Sequence, residues 1–176
     1  EHGRIDGLFA NAGRGGSGTP FLNLSLEEWR SVMDVNLDGV FLTLREAAKV
    51  LVEQGSGGSL VAVSSTSAIH GAAGNEAYGT AKTALNGLVR ALAVGLARHG
   101  IRVNCLTPSI VQGTPLYNKL MAHEFAGKLF GKAEQMAALG VVTPDDIAEM
   151  VVFLASPASA KTTGQTISIT GGISAI

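Results

Sequence analysis

Leu60-Val61-Ala62-Val63 runs directly into Ser64-Ser65-Thr66-Ser67. Four apolar residues with no polar alternation are the pattern of a strand covered on both faces. Such strands belong to parallel sheets flanked by helices. The hydroxyl cluster then falls at the carboxyl end of that strand, where α/β sheets meet their ligands.

Working outward, similar short apolar runs stand at 5–10, 101–106 and 165–169. Between them the pattern turns helical. Ser25-Leu26-Glu27-Glu28 reads as a capping box, in which the serine hydroxyl and the glutamate carboxylate each satisfy a free amide. A helix is expected over 26–54, with Trp29, Val32, Met33, Leu37, Val40, Phe41 and Leu44 at helical spacing. The glycines of Gly55-Ser56-Gly57-Gly58 end it. A second helix is expected over 75–98, closed by His99-Gly100. Residues 108–140 form a long, part-helical excursion. Thr143-Pro144-Asp145-Asp146 supplies a cap, a first-turn proline and first-turn acids for a third helix ending near Ala155. Strands alternate with helices, so the fold class is α/β with a parallel sheet.

The chain has 176 residues, enough for one domain with its own core. Net charge is −1, with no block of like charges, so no nucleic-acid or anionic-membrane partner is expected. The single cysteine, Cys105, excludes an internal disulfide and reads as a buried small hydrophobe. No uncharged apolar run reaches about 18 residues, so no membrane-spanning helix is expected. No signal peptide opens the chain, and the expected location is cytoplasmic. Glu1 rather than Met at the start reads as a processed product or a fragment.

Tyr78-Gly79-Thr80-Ala81-Lys82 places a phenol and an ammonium at i, i+4, on one face near the start of the second helix. An ammonium beside a phenol favours the phenolate and draws its pKa below the usual value of about 10. That would make the tyrosine a usable acid/base near neutrality. Read separately, such a tyrosine packs, such a lysine is solvated, and a serine cluster caps and turns. The glycine-rich Gly13-Arg14-Gly15-Gly16-Ser17-Gly18 follows a strand, yet no helix opens from it. It reads as a flexible surface loop rather than a pyrophosphate loop. His70 and His123 read as solvent-facing. With no ligand-spaced partners, they give no metal site.

Taken together, these stretches resemble the short-chain dehydrogenase/reductase family over nearly the whole chain. Asn11-Ala12-Gly13 resembles its N-A-G, and Val35-Asn36-Leu37 its helix asparagine. Ser65 lies thirteen residues before Tyr78, and Tyr78-x-x-x-Lys82 resembles the active-site motif. Arg102-Val103-Asn104 with Pro108, Pro144-Asp145-Asp146-Ile147-Ala148, and Thr163-Gly164-Gln165 through Gly171-Gly172 resemble its C-terminal signatures. The resemblance implies that residues 1–176 form a single partial domain, the C-terminal part of a doubly wound Rossmann-like parallel sheet with helices on both faces, running from the family's fourth strand to its last. About 60 residues carrying the pyrophosphate turn would then lie outside it.

The resemblance also implies roles. Tyr78 would be the general acid/base, and Ser65 would orient the carbonyl. Lys82 would lower the tyrosine pKa and hold the nicotinamide ribose. Asn36 would hold a relay water; its plainer reading is a buried helix asparagine bonded to backbone. Asn11, Ala12 and Gly13 would line the adenosine side of NAD or NADP, and Pro108, Val111 and Thr114 the carboxamide. Two departures stand out: Ser109 replaces the usual glycine, and Gly113-Thr114 shifts the usual threonine by one.

The implied function is interconversion of an alcohol and a ketone in a small-molecule carbonyl substrate. The apolar helices would serve a homodimer or homotetramer, with Gly87 and Gly95 allowing close helix contact. A catalytically inert fragment or oligomerisation piece, and an epimerase or dehydratase relative, are the other open readings.

Overall fold

A computed structural model describes residues 2–122 and 124–173. His123 lies outside the described residues. Four strands, β1 (Gly7–Ala10), β2 (Gly58–Val63), β3 (Ile101–Pro108) and β4 (Thr166–Ile169), form one sheet in the order β1-β2-β3-β4. Every pairing is parallel, with Leu60 opposite both Leu8 and Val103, and Cys105 opposite Thr166. The expected strands are all present. β2 and β3 extend past the apolar runs because backbone pairing continues into Gly58 and Pro108.

Two separate cores cover the two faces. On one, Val40, Leu44, Ala47 and Leu51 of α2 (Gly39–Gln54) meet Leu85, Val89 and Ala93 of α3 (Glu76–Leu96) over Leu60, Ala62, Val103 and Cys105. On the other, Leu154 of α6 (Pro144–Ala155) packs with Val61 and Leu106. Val61 therefore points away from Leu60 and Ala62, and β2 is apolar on both sides. Cys105 is fully buried, as its neighbours require.

Both expected capping boxes form: Ser25 with Glu28, and Thr143 with Asp146. Gly55 and Gly100 end their helices in the left-handed region, at φ 69° and 70°. The excursion holds α4 (Pro115–Ala122) and α5 (Glu124–Gln135). No helix among the described residues is long and apolar enough to cross a membrane.

The expected 26–54 helix is not uniform. α1 (Leu26–Met33) passes through a π-helical segment, Asp34–Asp38, before α2 begins. The burial pattern explains it. Val32, Asn36, Val40 and Leu44 are buried at steps of four. Three such steps overshoot three α-turns by about one residue, and the wider π-turn absorbs the excess.

Candidate active site

The sequence-predicted residues of greatest interest converge at the carboxyl ends of β1, β2 and β3. Ser65 follows β2 in an extended conformation and caps a short 3₁₀ turn, Thr66–Ala68, with its Oγ accepting from the Ser67 N–H at 3.1 Å. α3 crosses close above this turn. A Cβ at Gly79 would stand 3.0 Å from the Ser67 carbonyl oxygen, so the helix comes this near only because residue 79 has no side chain. Asn75 Nδ2 donates to Ser67 Oγ at 3.1 Å and anchors the helix start. Tyr78 is thereby brought near Ser65, whose hydroxyl favours the phenolate. The capping role and the tyrosine contact coexist in one serine.

One turn further along, Lys82 is buried, with 3% of its surface exposed. Its Nζ donates to the Val63 carbonyl at 2.8 Å and lies 5.6 Å from the centroid of the Tyr78 ring. Burial pulls its pKa down to about 8, opposed by the nearby Cys105 thiol. Burial likewise pushes Cys105 up to about 11.

The sequence expectation of a phenol acidified by its lysine is corrected here. Burial raises the Tyr78 pKa, and the Ser65 hydrogen bond is what opposes the rise. The ammonium spends a hydrogen bond on Val63 and lies over the ring face rather than at the phenolic oxygen.

Asn36 lies in the π-helical segment and is fully buried. Its Nδ2 donates to the carbonyls of Arg14 at 2.9 Å and Val32 at 3.0 Å, and its Oδ1 accepts from the Arg14 N–H at 3.2 Å. Both amide hydrogens are therefore held by backbone, as in the plainer of the two expectations. The same clamp places Gly13, where a Cβ would lie 3.0 Å from Asn36 Oδ1 and 3.5 Å from Lys82 Nζ.

The glycine loop that follows lies largely at the surface, as expected, and also packs on the start of α3. A Cβ at Gly16 would meet Asn75 Oδ1 at 2.8 Å, and one at Gly74 would meet the Gly18 carbonyl at 2.9 Å. Glycine lets loop and helix start press together, backbone to backbone. Among the sequence candidates, Asn11 and Ala12 lie exposed beyond β1, with the Asn11 N–H donating to the Phe9 carbonyl at 3.1 Å. His70 is exposed.

Pro108 ends β3, and Val111 forms an isolated parallel bridge with Val142. Thr114 is engaged locally. Its Oγ donates to the Val111 carbonyl at 2.9 Å and accepts from the Tyr117 N–H at 3.1 Å, which caps α4. Two hydroxyls on β3 and just past it, Thr107 Oγ1 and Ser109 Oγ, are buried with no hydrogen-bond partner. They stand two residues apart and so face the same side of the strand.

The resemblance implies a nicotinamide cofactor, and these residues suit its nicotinamide end. Gly13 leaves open a space beside Lys82 that any side chain would fill, and the hydroxyls of Thr107 and Ser109 have unmet hydrogen-bonding capacity at the same sheet edge. Sequence reasoning passes over Gly79, Val63 and the Arg14 backbone. Only the isolated glycine inside a helical pattern is a signal for any of them.

Comparison with known proteins agrees with this geometry. A family profile described as enoyl-(acyl carrier protein) reductase matches residues 1–174. An uncharacterized NAD-dependent oxidoreductase of Mycobacterium tuberculosis is 36% identical, covering 98% of this chain and 64% of the relative. Xanthoxin dehydrogenase of Arabidopsis thaliana is 36% identical, covering 97% of this chain and 62% of that protein. The solved structure of a short-chain type dehydrogenase/reductase from Mycobacterium ulcerans superposes with a TM-score of 0.88 at 30% identity, over 98% of this chain and 61% of that one. The chain thus spans just under two thirds of the length of these relatives. Its parallel sheet, its serine–tyrosine–lysine grouping and these likenesses converge on one conclusion: the chain belongs to the short-chain dehydrogenase/reductase family.

Proposed function

We propose that the full protein containing this chain is an NAD(P)-dependent oxidoreductase that interconverts an alcohol and a ketone, with Tyr78 as general acid/base. The observation that carries this reading is the grouping at one sheet edge of Ser65, Tyr78 and the buried Lys82, whose ammonium lies 5.6 Å from the Tyr78 ring centroid. The relatives' names, an NAD-dependent oxidoreductase and a dehydrogenase among them, support the reaction class.

A nicotinamide held at this edge would supply or accept the hydride; the protein would orient the reactants and exclude water. Ser65 presents a hydroxyl to the substrate oxygen beside the phenol. In the reducing direction, Tyr78 gives its proton to that oxygen as negative charge develops there. The raised pKa keeps the phenol protonated for this role near neutrality. Lys82, buried beside the ring, is proposed to hold the nicotinamide ribose. Asn11, Ala12, Gly13, Pro108, Val111 and Thr114 are proposed to flank the cofactor. For Thr114 this means through its backbone, since its hydroxyl is already engaged.

We also propose a homodimer or homotetramer. A groove of about 290 Å³ between α2 and α3 is lined by the apolar Phe41, Leu44, Ala48, Val52, Leu92 and Leu96 and by the stems of Arg45 and Lys49. Gly87 and Gly95 have nothing of this chain within 4 Å of a built Cβ, so they are open to a neighbouring helix.

The test is titration of the full-length protein with NADH and NADPH, followed by turnover on a panel of small ketones. Cofactor binding with turnover that Tyr78→Phe abolishes supports the reading. No binding at millimolar cofactor turns the reading to a non-catalytic piece.

A further inference from the structure

Ser64 is the neighbour of Ser65, 1% exposed, and outside the grouping described so far. Its Oγ donates to the Lys82 carbonyl at 2.8 Å, and its N–H donates to the Leu106 carbonyl at 2.7 Å. The preceding residue, Val63, accepts from Lys82 Nζ at 2.8 Å. Two consecutive residues at the end of β2 therefore hold the lysine by its backbone and by its ammonium at once. No other residue of α3 has this double attachment among the hydrogen bonds described.

We propose that Ser64 is a positioning residue for Lys82, fixing the helix backbone from which the lysine reaches across to β2. The argument is one of necessity. A hydroxyl this deeply buried is costly unless bonded. Helix α3 does not need the extra bond on an interior carbonyl. What needs it is the lysine, whose four-carbon stem is flexible and whose ammonium has to sit at one point. Val63 alone fixes the tip; with Ser64 fixing the root, the stem between them has both ends set. The bond to Leu106 ties the same peptide to β3, so the clamp is braced by the sheet.

The proposal rests on the reading of Lys82 as part of the active site, and its test is separable from that reading. In full-length protein carrying ¹³Cε-lysine, the Lys82 resonance is assigned through Lys82→Arg and titrated in wild type, Ser64→Ala and Ser64→Thr. The ionisable groups beside that ammonium are the Tyr78 phenol on α3 and the Cys105 thiol on β3. The π-helical segment contributes the neutral Asn36. A Cys105→Ala background removes the thiol's own titration.

In Ser64→Ala the lysine midpoint is expected to move up toward the ordinary value near 10.4, as the loosened side chain reaches water. NADH affinity is expected to fall at least fivefold, and Ser64→Thr, which keeps the hydroxyl, is expected to restore both. A folded Ser64→Ala protein with unchanged lysine midpoint and unchanged affinity overturns the proposal, even if its melting temperature drops. If Ser64→Ala does not fold, Ser64→Cys takes its place under the same criterion. If the wild type binds neither NADH nor NADPH, the dehydrogenase reading fails, and the lysine titration still decides the role of Ser64.

Discussion

Gly79 lies against the carbonyl of Ser67, and no side-chain carbon fits between them without displacing one or the other. The contact joins α3 to the turn that carries Ser65, and it sets the distance between the tyrosine and the serine. Gly79→Val is therefore expected to separate Ser65 from Tyr78. Turnover should fall at least tenfold, while the circular dichroism of α3 is retained. Wild-type turnover in the valine variant would show that the approach is not needed.

Tyr78→Phe removes only the phenolic oxygen. If Tyr78 supplies the proton, turnover should fall by about 10²- to 10⁴-fold, the range for a lost general acid. Binding of NADH should survive, because Lys82 keeps its bond to Val63. Isothermal titration beside steady-state rates separates the two effects.

Ser65→Ala should make Tyr78 harder to ionise. The Ser65 hydrogen bond opposes the rise caused by burial, so its loss leaves burial unopposed. Ultraviolet titration in a Tyr117→Phe background should show the Tyr78 transition at higher pH than in the parent. A transition at the same pH, or a lower one, would show that the Ser65 hydroxyl does not act on the phenol.

Lys82 and Cys105 give the stability a pH signature. The lysine pKa is about 8 in the folded chain against 10.5 ordinarily, so between those values the unfolded chain binds more protons and stability rises with pH. Cys105 works the other way, from 9.0 to about 11: its contribution is present below 9 and is lost as pH rises. Raised Tyr78 acts in the same sense as the cysteine at still higher pH. Urea unfolding should thus show a gain from pH 8 to 9, of at most about 1.4 kcal/mol per pH unit, that levels off or reverses above 9. Lys82→Met should abolish the gain, and Cys105→Ala should extend it.

Much of this was legible in the residues themselves. Unbroken apolarity at Leu60–Val63 signalled a strand covered on both sides, because Leu60 and Ala62 serve one core while Val61 serves the other. Ser25 and Thr143 announced their helices because capping is a local matter of one side chain and three amides. The spacing of Ser65, Tyr78 and Lys82 gave the site. The π-helical segment stayed hidden because apolar spacing was matched to a helix without asking whether steps of four fit 3.6. The packed glycine loop and the direction of the Tyr78 shift were hidden for a different reason. Each depends on what lies across the sheet edge, and burial by distant residues leaves no mark in a five-residue motif.

The sheet has no hairpin: Gly7 pairs with Ser59, Gly58 with Ile101, and Cys105 with Thr166. Every rung of the ladder joins residues more than forty apart in the chain, so a long crossover must be made first. Long loop closure precedes any reward, so folding should be slow, with the sheet ordered late. For a chain leaving the ribosome, Ser65, Tyr78 and Lys82 emerge well before β3 does. They cannot be gathered until Leu106 arrives to brace the end of β2. A stalled or prematurely ended product would carry Ser65, Tyr78 and Lys82 and still not bring them together.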